Sequence, residues 1–372
     1  MSSWAQIASK NIKSKLDVKP EVKPNVKPEV KPDVKPDVKP EAKPEVKPNV
    51  KPEVKPEVKP EVKPNVKQDV KPEAKPEVKP NVKLDVKPDV KVVKPIIRRC
   101  SNKDVYLVDI GSNLTSSKFE SDLDEVIKRA RDGGVQKQVI TGSSIKESHH
   151  ALDIARKYPG ELYSTAGIHP HNASQYTQEC VNTLEVLLSN PEVVAVGETG
   201  LDFFRNISTP EQQKESFEAH LKLAFKLKKP LFLHQRDAHT DFMNTIEYVM
   251  TQMKLDWKDL PPIVVHCFTG KSKELEEYIR VGFYIGITGF IGIKGRGDNL
   301  LSFLAHKVPL EKLMIETDAP YMKPNNAPKL PSGNNEPCNL QYVAEIIAPL
   351  YKISEEELWK ITTKNAEKFF GI

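Results

Sequence analysis

From about Val105 onward, short apolar runs of strand length alternate with segments whose apolar residues recur every three to four positions, and the alternation continues to the end of the chain. The strand candidates are VYLVDI (105–110), KQVITG (137–142), LYSTAGI (162–168), VVAVGE (193–198), PLFLH (230–234), PIVVHCF (262–268), FYIGIT (283–288) and KLMIET (312–317). Between them lie helical patterns such as DLDEVIKRARDGG, KESHHALDIARKY, PEQQKESFEAHLKLAFKLK and SKELEEYIRVG. Eight strand-then-helix units in roughly 260 residues predict an α/β fold, a (β/α)8 TIM-type barrel. A doubly wound open sheet is the alternative, but it ordinarily carries a Gly-rich phosphate loop after its first strand, and none follows here.

Upstream the pattern has a different period. From Asp17 to Asp89 a tetrapeptide, [D/E/N]-[V/A]-K-P, repeats in register, with Gln68 and Leu84 standing in the proline position. Proline at every fourth residue removes amide donors and turns each preceding lysine away from helical dihedrals, and valine alone cannot build a core. Residues 1–99 are therefore expected to be a disordered, extended low-complexity leader and residues 100–372 the barrel. A spacer is the favoured role for the repeat. A weak anchor for acidic polymers and a surface for an unidentified partner are the alternatives.

Charge follows the same division. The 372-residue chain has a formal net charge of +5, but residues 1–99 hold 25 Lys+Arg against 15 Asp+Glu, leaving 31 against 36 for the rest. An acidic body argues against a broad phosphate-binding surface and for a site where bound cations meet the substrate. Cys100, Cys180, Cys267 and Cys338 lie far apart without CxxC spacing, as free thiols of a reducing compartment would. No apolar run reaches the ~20 residues that span a bilayer. The start MSSWAQIASKNIKSKL lacks the apolar core of a signal peptide, so cytoplasm is the expected location, with nucleus or unconventional export as alternatives.

Candidate chemistry collects where the strands end. Asp109, Gly111 and Asn113 follow the first, His169 and His171 the third, Glu198 and Asp202 the fourth, His234 and Arg236 the fifth, His266 the sixth, and Glu316 and Asp318 the eighth. A barrel brings such positions to one face, where barrel enzymes hold their active sites. Each residue alone has an ordinary reading: His234 or His266 satisfied by a carbonyl, Asp318 capping the turn before Ala319-Pro320-Tyr321. Together, Glu198, His234, His266 and Asp318 form a mixed nitrogen and oxygen set suited to Zn, Mn or Mg. The glycines flanking Glu198 in GETGLD allow close backbone approach.

Other residues are expected to do less. His149, His150, His220 and His306 fall in helical patterns and carry no assigned chemistry, while His239 is open to capping or substrate contact. Strand alternation points Cys267 away from His266, which argues against a Cys–His nucleophilic pair. Phe203, Phe204 and Arg205 either pack the loop after the fourth strand or stack on a base and hold a phosphate.

These residues resemble the TatD-like metal-dependent deoxyribonucleases, a branch of the amidohydrolase-type barrels. The matching stretches are DIGSNLTSSKF (109–119), STAGIHPH (164–171), VVAVGETGLDFFRN (193–206), PLFLHQRDAH (230–239), VVHCFTG (264–270), YIGITG (284–289), LMIETDAPY (313–321), NEPCNL (335–340) and NAEKFFGI (365–372), in order and covering residues 104–372. The resemblance implies a distorted barrel with Glu198, His234 and His266 as metal ligands, joined by Asp318 and His169. It further implies hydrolysis of DNA phosphodiester bonds from the 3′ end, single strands more readily than duplex. Many relatives open the first strand with His-x-His, where this chain has Asp109-Ile110-Gly111-Ser112-Asn113. Harder oxygen ligands there favour Mg or Mn over Zn, with one or two ions.

Within that reading Asp318, Glu198 and His169 are the expected catalytic residues, Asp318 accepting a proton from the attacking water. Asn113, His171, Asp202, Phe203, Arg205 and Arg236 are the expected substrate contacts. Two rivals stand beside it: an amide or ester hydrolase on the same barrel, and an adhesion protein working through its repeat. The first often uses a bridging strand-end lysine, which no strand here offers.

Overall fold

The computed structural model describes residues 104–330 and 332–372, so the reading of residues 1–99 as a disordered spacer lies outside the described residues. Eight parallel strands follow one another in chain order: β1 (Leu107–Ser112), β2 (Val135–Ile140), β3 (Leu162–Ala166), β4 (Val193–Asp202), β5 (Leu231–Arg236), β6 (Ile263–Val265), β7 (Tyr284–Ile287) and β8 (Leu313–Ile315). Each of the eight expected strands is present. The sheet curls until β8 meets β1, and the seam is tied by Asp318 N donating to Gly111 O at 2.8 Å and Asn113 N donating to Ala319 O at 2.8 Å. The expected (β/α)8 architecture is therefore a nearly closed barrel rather than an open sheet.

Helices α1 (Leu123–Asp132), α2 (Ile145–Ala155), α3 (Gln178–Leu188), α4 (Pro210–Leu227), α5 (His239–Met253), α6 (Ser272–Arg280), α7 (Asp298–Lys307), α8 (Leu340–Ile347) and α9 (Glu355–Phe370) accompany the strands. Their starts are set by ordinary capping chemistry. Thr209 and Gln212 form a reciprocal capping box with Pro210 in the first turn of α4, and the Ser144 and Ser354 hydroxyls accept backbone N–H groups at α2 and α9. Each such cap contributes about 1 kcal/mol.

Alternation along the strands sorts the apolar residues into two layers. Leu107, Val196, Leu231, Leu233, Val265 and Ile285 belong to the large cluster packed under the helices, whereas Val108, Ile110, Val139, Val194, Phe232, Val264 and Met314 form an inner cluster. Phe369 and Phe370, at the end of α9, join that inner cluster, and Asn365 Nδ2 donates to Leu310 O and Leu313 O. The barrel interior is thus filled, leaving the carboxyl ends of the strands for chemistry. Cys180, Cys267 and Cys338 are free thiols. Among the described residues, no helix is long and apolar enough to cross a membrane.

Candidate active site

Glu198 lies within β4, and one of its oxygens is the focus of the mouth. Oε1 lies 2.7 Å from His266 Nε2, 3.1 Å from His234 Nδ1 and 3.3 Å from His169 Nε2. The convergence follows from the sequence GETG. Gly197 and Gly200 have φ of +146° and +140°, and a Cβ on Gly200 would stand 1.9 Å from His234 O, so only glycine lets β4 press this closely on β5. Gly200 pairs with His234 in the parallel register, which places the His234 ring beside Glu198.

Around this centre each partner is itself held. His266 Nδ1 lies 3.3 Å from Glu316 Oε2, and the ring stacks on Phe232 with centroids 4.3 Å apart. His171 Nε2 is 2.8 Å from Asp202 Oδ2, one step outward from His169, whose ring centroid is 4.2 Å from that of His171. Asp318 stands on the β8 side, its Oδ1 accepting from Asn113 Nδ2 at 2.9 Å. His169, Glu198 and His234 form the tight group, with ligand atoms all within 4.8 Å of one another. His266 meets Glu198, while Asp318 is apart from that group.

The electrostatics are those of a carboxylate clasped by imidazoles. Burial pushes Glu198 up, but the facing His169 and His266 charges and the hydrogen bonds from His169 and His234 hold it well below the usual carboxylate range. Burial opposes a proton on His266, yet Glu198 and Glu316 raise it well above the ordinary value. His234 is raised likewise by Asp202 and Glu198 against burial, whereas burial wins at His169 and lowers it. Burial also pushes Asp318 up to about 7, with Glu198 and Glu316 adding to it against the pull of His266.

Several residues sit otherwise than the sequence suggested. Asp202 is 1% exposed and behind the histidines, its oxygens engaged by His171 and by Arg205 N, so it orients rings rather than facing solvent. Phe203 packs against the outer core, and the exposed aromatic is Phe204, with Arg236 Cζ 3.9 Å from its ring centroid. Arg205 is exposed at the rim. Asp109 does not reach the mouth: its carboxylate accepts from Thr317 N at 2.9 Å, Thr317 Oγ1 and Gly111 N, closing the seam from the helix side. Cys267 does turn toward the site, with Sγ 3.9 Å from Asp318 Oδ2, because β6 ends at Val265 and a φ of +44° breaks the alternation. Burial pushes that thiol well up, so a Cys–His nucleophile remains excluded.

Three residues to which the sequence reading gave no firm role are structural supports. Glu316 is fully buried, and a Cβ on Gly111 or Gly286 would come within 2.3 or 2.5 Å of its oxygens, so two glycines make its cradle. His239 bridges Tyr278 and Glu277, tying α5 to α6. His220 Nε2 accepts from Ile168 N at 3.0 Å while Nδ1 donates to Ser216 O, fixing the backbone next to His169.

Burial lowers His220 to about 4, which gives a pH prediction. The folded state holds this ring neutral, so its stability is complete above the unfolded value near 6.5, erodes as pH falls through the window from 6.5 to 4, and is lost below it. The loss expected from this one group over that window is on the order of 3 kcal/mol. Urea midpoints at pH 7 and pH 4.5 should therefore diverge less in His220→Gln than in the parent; equal divergence would assign the acid sensitivity elsewhere.

A TIM-type barrel whose strand ends bring His169, His234 and His266 onto Glu198 is an architecture suited to a hydrolase, and the His/Glu cluster suggests a metal site. A family model described as TatD related DNase matches residues 108–371, and the chain belongs to that family. A second family model, whose description names no activity, matches residues 4–128. The 3′-5′ ssDNA/RNA exonuclease TatD of Erwinia billingiae is 45% identical over 268 residues, spanning 72% of this chain and 99% of that protein. The enzyme of the same description from Edwardsiella piscicida is 44% identical over 267 residues, 72% of this chain and 100% of its own. Among solved structures, a TatD homologue from Escherichia coli K12 superposes with a TM-score of 0.64 at 26% identity, covering 72% of this chain and 98% of its own. A TatD family hydrolase from Entamoeba histolytica gives 0.63 at 26% identity, again covering 72% and 98%.

Proposed function

We propose that this chain is a divalent-metal-dependent nuclease acting as a 3′-5′ exonuclease on single-stranded DNA or RNA. The observation that carries the reading is the convergence of His169, His234 and His266 on one oxygen of Glu198 at the mouth of the barrel. The relatives named above, covered almost end to end, supply the substrate class and polarity.

The residues fit a cation. Ligand atoms bonded to one ion at about 2.0–2.2 Å stand about 3–4.4 Å apart, and those of His169, Glu198 and His234 lie within 4.8 Å of one another, close to that spacing. His234 Nε2 is buried and faces Asp202 Oδ2 at 3.5 Å, a long contact that leaves the ring nitrogen weakly satisfied. Glu198 and Asp202 raise the proton affinity of His234, and Glu198 and Glu316 that of His266, and a cation held here would meet the same carboxylate charge. One or two divalent ions, with Mg, Mn and Zn the candidates, would supply polarisation of the scissile phosphate and a lowered pKa for the attacking water.

The chain's own groups do the rest. Glu198, His169, His234 and His266 hold the charged centre in place, with Asp202 and Glu316 fixing the His234 and His266 rings from behind. Asp318 Oδ1 is anchored by Asn113 and Oδ2 lies 3.9 Å from Cys267 Sγ, and this carboxylate is the candidate to accept the water's proton. Arg236 and the more peripheral Arg205 are placed to contact phosphates.

The test is cleavage of 5′-labelled single-stranded DNA and RNA by the full chain with Mg or Mn. A ladder shortening from the 3′ end that vanishes with a chelator and returns with added metal is expected. Activity indifferent to chelation, or none with any of the metals, would overturn the reading.

A further inference from the structure

Beside the mouth runs a groove of about 500 Å3 that shares Arg236 with the site described above and otherwise lies outside it. It begins one residue past His234, at Gln235 and Arg236, and continues along the β6–α6 and β7–α7 loops past Lys271, Phe290 and Arg296, with Phe204 on its near wall. Its size is within the range of small-ligand pockets and sufficient for a nucleotide.

Two features distinguish this surface from the rest of the body. Residues 100–372 are net acidic, yet three cations, Arg236, Lys271 and Arg296, line the groove against Asp237 and Glu274, and Glu274 Oε2 is occupied by the backbone N–H of Lys271 at 3.2 Å. The arginines also lie on rings rather than against carboxylates. Arg236 Cζ is 3.9 Å from the Phe204 centroid and Arg296 Cζ 5.4 Å from that of Phe290. Phe204 is 61% exposed, with the Arg236 guanidinium over one face of its ring, so a base would stack on the other. Alternating aromatic faces and cations is the composition with which proteins hold single strands, bases stacking and phosphates meeting the guanidinium groups.

We propose that this groove is a strand-binding subsite that holds the 5′-ward body of a single-stranded nucleic acid while its terminal phosphodiester lies at Glu198. Phe204 stacks a base, and Arg236 and Arg296 take the flanking phosphates. The placement rests on the nuclease reading and adds a length dependence to it. Substrates long enough to reach Phe204 bind through both sites, and dinucleotides bind through the mouth alone.

The test measures anisotropy of a fluorescein-labelled dT12 in chelator, where no turnover occurs, together with kcat and KM on dT12 and on a dinucleotide with Mn. Loss of one base–aromatic stack should weaken dT12 binding by about ten-fold in Phe204→Ala and comparably in Arg296→Ala. KM for dT12 should rise with kcat held, the dinucleotide should be unaffected, and Phe204→Trp should restore binding. Both positions are exposed, so the variants fold. If the parent cuts dT12 and both variants match it in binding and KM, the subsite is wrong while the nuclease reading stands. If the parent binds dT12 through Phe204 but cuts nothing, the subsite stands and the nuclease reading falls. A parent that neither binds nor cuts overturns both.

Discussion

Glu198→Gln should lower cleavage of single-stranded DNA by about a thousand-fold, roughly 4 kcal/mol of transition-state stabilisation, while the barrel stays folded. The substitution keeps the shape of the side chain and removes its charge. Three ring nitrogens now converge on one Glu198 oxygen at 2.7 to 3.3 Å, and an amide in that place carries no charge with which to hold the imidazoles or attract a divalent cation. Initial rates under saturating Mn, with Mn affinity by calorimetry and folding by circular dichroism, check it. Loss of both rate and Mn binding in a folded protein is the expected pattern. A folded variant within ten-fold of the parent would remove Glu198 from the centre of the chemistry.

The extent to which this site could be read from the sequence depends on what kind of constraint places each residue. Strand-end residues were legible because alternating apolar runs fix where a strand stops, and a barrel makes all eight stops neighbours. That logic brought His169, Glu198, His234 and His266 together. It failed where the backbone leaves the strand conformation, as at Cys267, whose φ of +44° turns the thiol toward Asp318. It also failed for Asp109, whose place depends on a cross-seam partner, Thr317, more than two hundred residues away. Glu316 and Asp202 were visible as acids, but whether an acid faces the reacting centre or braces a histidine from behind depends on which glycines and which rings surround it. Phe203, expected to touch substrate, packs inward and Phe204 is the exposed ring, because β4 runs on to Asp202, four residues past Glu198, so the loop starts later than the apolar run implied.

Gly200→Ala should unfold or severely weaken the barrel, by more than about 3 kcal/mol, and with it abolish cleavage. The added Cβ would stand 1.9 Å from His234 O and 2.9 Å from His234 C, backbone atoms that cannot rotate away, at a φ of +140° that L residues rarely adopt. Relief requires β4 and β5 to separate at the register pair Gly200 and His234, which draws the His234 ring off Glu198 and breaks the 3.1 Å contact. Gly160→Ala is the control, because Gly160 also has positive φ, +80°, but nothing lies within 4 Å of a Cβ there; it should cost only about 1 kcal/mol and leave cleavage intact. Urea unfolding of both variants, with Mn affinity measured on whatever folded Gly200→Ala protein is recovered, separates the two effects. A Gly200→Ala protein as stable and as active as Gly160→Ala would show that close approach of β4 to β5 is not what assembles the site.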